Sequence, residues 1–192
     1  MQVKGRQVGT PGSVKAPSRV KFVDAATVNS AAVAVTETHT VYGLLCTASV
    51  NDILLDAAFC HTSSARSQWQ REVQTRFEPT VIDHSENTIW AKRIFNQDEP
   101  IHVITPKTAF RHSVHAALTH IPPGTTVSYA TVAAQMGQPL ATRAVASAIA
   151  ANRIAVVIPC HRVWRSDATP GGFRWGQPTK IRLCADEQAS TV

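Results

Sequence analysis

The sequence contains no apolar run that approaches the roughly 20 residues needed to cross a bilayer, and residues 1–16 lack the apolar core of a secretory signal. Cysteine is scarce, with four among 192 residues. They are Cys46, Cys60, Cys160 and Cys184. Because these spacings form neither paired metal knuckles nor a dense disulfide framework, we expect free thiols in a reducing compartment and no metal. We also expect no other cofactor and, from the lack of long apolar runs, no membrane partner. A zinc ion held by scattered cysteines and histidines is the alternative.

Acidic residues are also few: 13 Asp and Glu stand against 19 Lys and Arg, which gives a formal net charge of +6 at pH 7. This balance favours a polyanionic partner, and nucleic acid is the commonest one. Part of the excess precedes Asp24, where glycine and proline interrupt the basic residues. We therefore predict a flexible basic tail over residues 1–23, which either adds non-specific attraction to phosphate or is the remnant of a linker.

Residues 24–105 are predicted to form a small α/β domain. Strands are expected over the runs 31–37, 40–48, 52–59 and 101–104. Asn51-Asp52 gives a turn signal between two of these runs, which predicts a hairpin or a small antiparallel sheet. Helices are expected after an N-cap at Ser63 or Ser64 and over 86–97. Their inward residues are predicted to be Trp69, Val73 and Phe77, and Ile89, Trp90 and Ile94.

Residues 106–192 are predicted to form a second, mainly helical domain. Its first helix has an apolar stripe of Phe110, Val114, Leu118 and Ile121. His112, His115 and His120 fall off this stripe, and we expect them to be solvated.

A helix-turn-helix is predicted next. Ser128 can cap a helix that runs to about Met136, and a turn over 137–139 precedes a second helix from Ala141 to Ala151. The apolar contacts are expected from Val132, Met136, Leu140, Val145 and Ile149. The alternative is a plain αα-hairpin of the kind found in many enzymes.

The second helix of this pair has one long polar residue, Arg143. A helix that reads base edges needs several such side chains, so this one cannot discriminate sequence well. Its small residues let the backbone approach phosphates closely, and Arg143 can enter a groove or a gap in the base stack. The pattern predicts non-specific DNA binding with a wedge suited to extruding one base.

The run Ile154–Ile158 is apolar and is predicted to form a short strand buried on both faces, which Pro159 ends. Cys160 and His161 follow at once. A thiol at the end of a rigid buried element, next to a base, is typical of a nucleophilic cysteine. The alternative is a buried cysteine that only packs.

Five motifs occur in a familiar order: Val127-Ser128-Tyr129, Thr142-Arg143-Ala144-Val145, Ala151-Asn152, Pro159-Cys160-His161-Arg162-Val163 and Gly172-Phe173-Arg174-Trp175-Gly176. Together they resemble the O6-alkylguanine-DNA alkyltransferases, particularly the alkyltransferase half of bacterial adaptive-response proteins. The strong likeness covers residues 110–187, and residues 30–105 fit only in outline. The resemblance implies an α+β fold, with a ribonuclease-H-like N-terminal domain and a helix-turn-helix of winged-helix type in the C-terminal domain.

The resemblance further implies irreversible, single-turnover transfer of the alkyl group from O6-alkylguanine, and from O4-alkylthymine, to Cys160. His161 would activate the thiol through water and Glu187 would orient the imidazole. Asn152 would tie the turn after the recognition helix to the active-site loop. Tyr129 would lie near the extruded base and donate a hydrogen bond or proton to it.

DNA and pocket contacts are also implied. The residues expected at DNA are Arg143, Tyr129, Thr142, Ala144, Ser147 and Arg162, with Arg143 replacing the flipped base in the stack. Those expected around the pocket are Pro159, Val163, Gly171, Gly172, Phe173 and Trp175. The implied partner is double-stranded DNA containing O6-alkylguanine, bound by a monomer in the cytoplasm at the nucleoid, or in the nucleus of a eukaryote.

Three other functions compete with repair. A damage-binding relative without alkyl transfer would lack the acceptor, whereas Cys160 is present. A transcriptional activator would need a cysteine cluster upstream, and residues 1–35 hold none. A cysteine hydrolase has no use for a DNA-binding helix pair. The segment 166–168, where relatives often have glycine, is expected to alter which alkyl groups are accepted.

Overall fold

A computed structural model of the chain describes residues 19–24, 28, 32–77, 80–82, 88–96 and 99–190. Its first half contains a six-stranded mixed sheet with the order β1-β6-β4-β3-β2-β5. The strands are β1 (Val20–Val23), β2 (Val33–Thr40), β3 (Gly43–Val50), β4 (Ile53–Cys60), β5 (Thr80–Ile82) and β6 (Ile101–Ile104). β2, β3 and β4 form an antiparallel meander, whereas β6 pairs in parallel with β1 and β4, and β5 with β2. The fold is therefore of the mixed α/β kind.

The predicted turn between β3 and β4 is confirmed. Asn51 has a φ of 47°, a left-handed conformation that asparagine adopts more readily than most residues. β4 is buried along nearly its whole length and packs against the helix α1 (Ser63–Arg76). Strand burial on both faces explains why the run is apolar rather than alternating.

The N-cap of the helix α1 is Thr62, one residue before the first predicted cap, Ser63. The Thr62 hydroxyl accepts the N–H of Ala65 at 3.1 Å. Trp69 and Val73 are buried, as predicted. Phe77 lies just beyond the helix and is half-buried.

The observed strand β1 contradicts part of the predicted flexible tail. It pairs with β6, and the Arg19 guanidinium before it donates to the carbonyls of Arg93 and Ile94 at 2.9 and 2.8 Å. The prediction of a flexible tail over 1–23 is wrong for Val20–Val23, because edge pairing to a distant strand leaves no local signal. Residues 1–18 lie outside the described residues.

The helix α2 (Ile89–Phe95) is shorter than the predicted 86–97, of which residues 86, 87 and 97 lie outside the described residues. Trp90 and Ile94 are buried, as predicted. The inward placement of Ile89 is wrong: it opens the helix and is 58% exposed. Two buried residues four apart suffice to seat this short helix, and Ile89 falls off that side.

The second half begins with the helix α3 (Ala109–Leu118). Val114, Leu118 and Ile121 are buried, as predicted. The expectation of a solvated His115 is wrong, because α5 (Thr142–Ala150) packs on α3 and covers the imidazole. Its Nε2 lies 3.2 Å from the carbonyl oxygen of Ala148, and burial lowers the pKa of this histidine.

The two predicted helices and the turn between them are confirmed. They are α4 (Tyr129–Gln135), a turn of 3₁₀ helix over Pro139–Ala141, and α5. Ser128 caps α4 by accepting the N–H of Thr131 at 3.0 Å. Leu140 does not supply a core contact as predicted, because the 3₁₀ turn projects it fully into solvent.

The predicted strand over Ile154–Ile158 is wrong. Only Ile154 forms a bridge, to Ala57 of β4, and a turn follows in which Val156 has a φ of 66°. The segment is buried as the apolar run requires, but burial does not distinguish a strand from a tightly folded turn.

The last elements connect the start of α4 to the segment that follows Cys160. A parallel pair of β7 (Val127–Ser128) and β8 (Val163–Trp164) makes this connection. The helix α6 (Gln177–Ala189) closes the chain. One hydrophobic core extends through both halves, so the domain division at residue 105 stays a prediction. Among the helices of the described residues, none has the length and apolarity to cross a membrane.

Candidate active site

Cys160 lies at the wall of a cavity of about 460 Å³. It opens a turn of 3₁₀ helix directly after Pro159, and 6% of the residue is exposed. The cavity has the size of pockets that hold small molecules. Its lining residues are Tyr129, Ala146, Ile149, Ala150, Asn152, Cys160, Gly172, Phe173 and Arg174.

The side-chain amide of Asn152 organises the loop that precedes the cysteine. Its Nδ2 lies 3.1 Å from the Sγ of Cys160, to which it donates, and 3.0 Å from the carbonyl oxygen of Ile158. Its Oδ1 accepts the N–H of Ile154 at 3.0 Å. Asn152 is itself 1% exposed, so this amide is a fixed part of the structure. The expected link between the turn after α5 and the active-site loop is thus present in its contacts.

Two cations oppose the effect of burial on the thiol. Burial raises the pKa of Cys160, while the Asn152 amide and then the charges of Lys180 and Arg174 lower it. Lys180 is completely buried, with its Nζ donating to the carbonyl of Val163. Burial lowers the pKa of Lys180 to about 8.

His161 follows the cysteine and is fully buried. Its Nε2 lies 2.8 Å from the Oε1 of Glu187 on α6. Its Nδ1 is buried and has no hydrogen-bond partner among the described residues. Burial lowers the pKa of His161 more than the neighbouring carboxylate raises it. The ring is therefore neutral at pH 7, with Nε2–H donating to Glu187 and the Nδ1 lone pair able to accept a proton.

Glu187 also binds Arg162. The guanidinium donates to the two carboxylate oxygens at 3.0 Å from Nε and 2.8 Å from Nη2, and to the carbonyl of Ile121. Burial alone would raise the pKa of Glu187, but the hydrogen bonds from His161 and Arg162 outweigh it and lower the pKa to about 2. The carboxylate is thus charged at every pH at which the protein is expected to work.

The predicted DNA contact by Arg162 does not fit this geometry. The residue is 7% exposed, and its guanidinium is occupied by Glu187 and a backbone carbonyl. The resemblance implied a DNA contact for Arg162, whereas its ion pair is made with Glu187, 25 residues further along the chain. The structure assigns Arg162 to holding Glu187.

Tyr129 and three residues of the loop over residues 171–175, Gly172, Phe173 and Arg174, also line the cavity. Burial raises the pKa of Tyr129, so its hydroxyl keeps its proton at neutral pH. Gly171 has a φ of 65°, and a Cβ at this position would lie 3.3 Å from the Tyr129 hydroxyl. Phe173 contacts Trp175 edge to face, with 5.1 Å between ring centroids. The remaining predicted pocket residues are buried behind the cavity rather than lining it: Pro159, Val163, Gly171 and Trp175.

Sequence reasoning missed the contribution of Arg174. Its guanidinium donates to the carbonyls of Asn152 at 3.2 Å and Ala150 at 3.0 Å, which fastens the pocket loop to the end of α5. It stands inside the motif over 172–176, but only the folded arrangement shows that it reaches α5.

The predicted DNA-binding residues of α5 lie at the surface. Arg143, Ala144 and Ser147 are exposed and Thr142 is half-buried, while Val145 and Ile149 face the core. The same helix therefore presents one side to solvent and contributes Ala146 and Ile149 to the cavity wall. In the described part of the chain, no group of three or more His, Cys, Asp or Glu side chains could hold a metal ion.

Comparison with known proteins identifies relatives of this half of the chain. The family described as 6-O-methylguanine DNA methyltransferase, DNA binding domain, matches residues 109–189. The bifunctional transcriptional activator/DNA repair enzyme Ada of Escherichia coli is 54% identical over 80 residues, which are 42% of this chain and 23% of Ada. A methylated-DNA–protein-cysteine methyltransferase of Kluyveromyces lactis is 46% identical over 82 residues, 43% of each chain. The chain thus spans less than half the length of these relatives.

Solved structures extend the likeness to both halves. The O6-methylguanine methyltransferase of Mycobacterium tuberculosis superposes with a TM-score of 0.65 at 25% identity, over 82% of this chain and 93% of that one. The enzyme of Pyrococcus kodakaraensis shares the fold, with a TM-score of 0.62 at 18% identity over 81% of this chain and 98% of that one. Residues 109–189, which carry the cavity, the thiol and the pair of helices α4 and α5, are thus similar to the DNA-binding domain of 6-O-methylguanine DNA methyltransferases.

Proposed function

We propose that this protein repairs O6-alkylguanine in double-stranded DNA by moving the alkyl group onto Cys160. The observation that carries the proposal is a thiol in the wall of a cavity of about 460 Å³, which is also lined by Ala146, Ile149 and Ala150 of α5, the second helix of the helix-turn-helix. The sulfur forms a bond to the alkyl carbon, the bond from that carbon to O6 breaks, and its electron pair returns to guanine. The thioether product has no good leaving group, so each molecule reacts once.

The thiol needs a base, because burial raises its pKa. His161 is neutral and has a free lone pair on Nδ1, while its Nε2–H is held by Glu187 at 2.8 Å. We infer that the thiol proton passes through water to Nδ1 and that the carboxylate stabilises the imidazolium that forms. Asn152 donates to the sulfur and supports the developing thiolate.

Guanine leaves with negative charge on its oxygen and ring, and a donor must meet that charge. Tyr129 lines the cavity with a hydroxyl whose raised pKa keeps it protonated. It would donate a hydrogen bond or a proton to the leaving base.

The damaged base must leave the helix to reach this cavity. Arg143, Ala144 and Ser147 give α5 an exposed side of mostly small residues, which suits close approach to the DNA backbone. Arg143 would enter the stack in place of the extruded nucleotide, and Thr142 would contact the backbone beside it.

Finer points of fold and setting belong to the same proposal. The antiparallel meander beside parallel strands supports a ribonuclease-H-like first half, and the short β7–β8 pair beside the helices supports a winged-helix type of DNA-binding unit. We expect a monomer that acts at cellular DNA, in the nucleoid or a nucleus, and that also accepts O4-alkylthymine.

The decisive experiment uses a duplex that carries one O6-methylguanine. We expect the intact protein to gain one methyl group, located on the Cys160 peptide by mass spectrometry, with guanine restored in equal amount. Cys46→Ala, which removes a buried thiol of the sheet, is the matched control and should gain the methyl group like the wild type. No gain by the wild type, or equal gain by Cys160→Ala, would refute the proposal.

A further inference from the structure

The loop that carries Asn152 is fastened to the sheet of the first half through its backbone. Ala57 of β4 donates its N–H to the carbonyl of Arg153 at 3.0 Å and accepts the N–H of Ala155 at 2.8 Å. These bonds extend β4 by a single bridge to Ile154. Through this contact, the sheet of the first half holds the segment of chain that leads to Cys160.

A buried carboxylate secures the same point. The Nε of Arg153 donates to the Oδ2 of Asp56 at 2.8 Å, and its Nη2 donates to Glu72 at 2.7 Å. Asp56 is 1% exposed and also accepts from the Nε1 of Trp69 at 2.9 Å and from Arg76 at 2.8 Å. The burial of a charged aspartate inside a sheet destabilises the fold unless hydrogen-bond donors surround the carboxylate. The donors around Asp56 meet this requirement.

The loop needs this support because its backbone is strained. Val156 has a φ of 66°, in the left-handed region that a β-branched residue rarely adopts. Such a conformation persists only where the surroundings fix both sides of it. The Asn152 amide holds the chain on both sides of Val156, through Ile154 before it and Ile158 after it, and β4 additionally holds Ala155, the residue directly before it.

We propose that Asp56 and Arg153 are positioning residues: they anchor the strained loop so that the Asn152 amide stays against the Sγ of Cys160. The sheet of the first half thereby sets the reactivity of a thiol in the second half. The catalytic meaning rests on the proposed function, but the reactivity of the thiol can be measured without DNA.

The chain offers a matched pair of variants. Arg153 and Arg76 each donate to the same oxygen of Asp56, both at 2.8 Å, but only Arg153 belongs to the active-site loop. If Asp56 were merely structural, Arg153→Gln and Arg76→Gln would both lower stability and neither would affect Cys160. Lys180 and Arg174, the cations that act on Cys160, are retained in both variants.

The experiment measures the rate at which iodoacetamide alkylates the Cys160 peptide as a function of pH, by mass spectrometry. Losing the Asn152 hydrogen bond disfavours the thiolate, so Arg153→Gln should move the profile upward by about half to one pH unit and slow alkylation at neutral pH by about three- to tenfold. Arg76→Gln should keep the wild-type profile. If Arg153→Gln does not fold, Arg153→Lys carries the same expectation with the charge retained.

An unchanged profile in the folded Arg153 variant, or equal shifts in both variants, would overturn the inference. The positioning inference and the repair proposal can be refuted independently of each other. A wild type that takes no methyl group from DNA but shows the shift in Arg153→Gln would refute repair and retain the positioning pair. A wild type that takes the methyl group from DNA, together with an unchanged profile in Arg153→Gln, would retain repair and refute the positioning pair.

Discussion

Glu187 accepts hydrogen bonds from two buried side chains, the His161 imidazole and the Arg162 guanidinium. Its pKa in the folded protein is about 2, below its ordinary value of 4.5. A carboxyl group whose pKa is lowered by folding stabilises the protein above its unfolded pKa, and that stabilisation is lost as the pH falls toward the folded value. The same carboxylate therefore supports the base of the proposed reaction and resists acid unfolding.

Replacing Glu187→Gln should affect both properties. We expect the free energy of unfolding at neutral pH to fall by about 3 kcal/mol, because Arg162 is left buried without its charge partner. The loss should shrink as the pH falls through the window from about 4.5 to about 2, where the wild type loses the same interaction. Methyl transfer from DNA at neutral pH should slow by about a hundredfold, since the imidazolium loses its counter-charge. Urea unfolding at several pH values and single-turnover kinetics measure these effects.

Asp186→Asn provides the control for this variant. Asp186 is the neighbouring carboxylate on α6, is 49% exposed, lies 3.8 Å from the Nε of Arg182 and accepts a hydrogen bond from the Tyr42 hydroxyl, which the amide oxygen of asparagine can also accept. Its replacement should leave the transfer rate within about twofold and stability within about half a kcal/mol. Equal losses in the two variants would show that helix charge, rather than the contact with His161, is responsible.

At the scale of the element, α5 carries two sets of residues. Ala146, Ile149 and Ala150 line the cavity, whereas Arg143 is exposed and is not among the lining residues. The proposed reaction with DNA would need both sets, whereas a free base that diffuses into the cavity would need only the first. The two substrates can therefore separate the functions of one short helix.

Arg143→Ala should slow repair of a methylated duplex by about ten- to a hundredfold, because filling the gap in the stack offsets a few kcal/mol of base-flipping cost. The rate with free O6-benzylguanine should change by less than about twofold. Arg71→Ala removes an equal charge from an exposed position on α1 and should leave both rates unchanged. Similar losses with both substrates would contradict the wedge function and favour a defect in the pocket.

The elements differ in how far the sequence predicts them. The helix pair around Ser128 was predictable because capping and helical spacing are local properties. The Ile154–Ile158 segment was not, since its apolar run reflects burial, whereas its turn is imposed by the Asn152 amide and β4. Leu140 was misplaced for a related reason: a 3₁₀ turn changes the direction that helical spacing assumes.

For the whole molecule, the unpredicted contacts are those between distant residues. The residue pattern around Pro159 indicates Cys160 and His161, and the resemblance to known motifs adds Glu187. The pairing of Asp56 with Arg153 spans 97 positions, and no local pattern announces it. The burial of Lys180 likewise depends on how α6 packs against the segment that follows Cys160, where the Lys180 ammonium donates to the carbonyl of Val163. Tertiary contacts of this kind decide the electrostatics of the site, so a motif alone identifies the nucleophile but not its environment.

The net charge of +6 acts at the scale of the whole molecule. If binding to DNA is dominated by phosphate contacts, it releases counterions, and each contact contributes about −0.9 to the slope of log affinity against log salt concentration. We expect a slope steeper than about −2 for both damaged and intact duplexes, measured by fluorescence anisotropy. The reaction with uncharged O6-benzylguanine should change little over the same range and shows that salt leaves the pocket intact. A flat salt response with DNA would mean that α5 binds without phosphate contacts, and the surface proposed here for DNA would then be wrong.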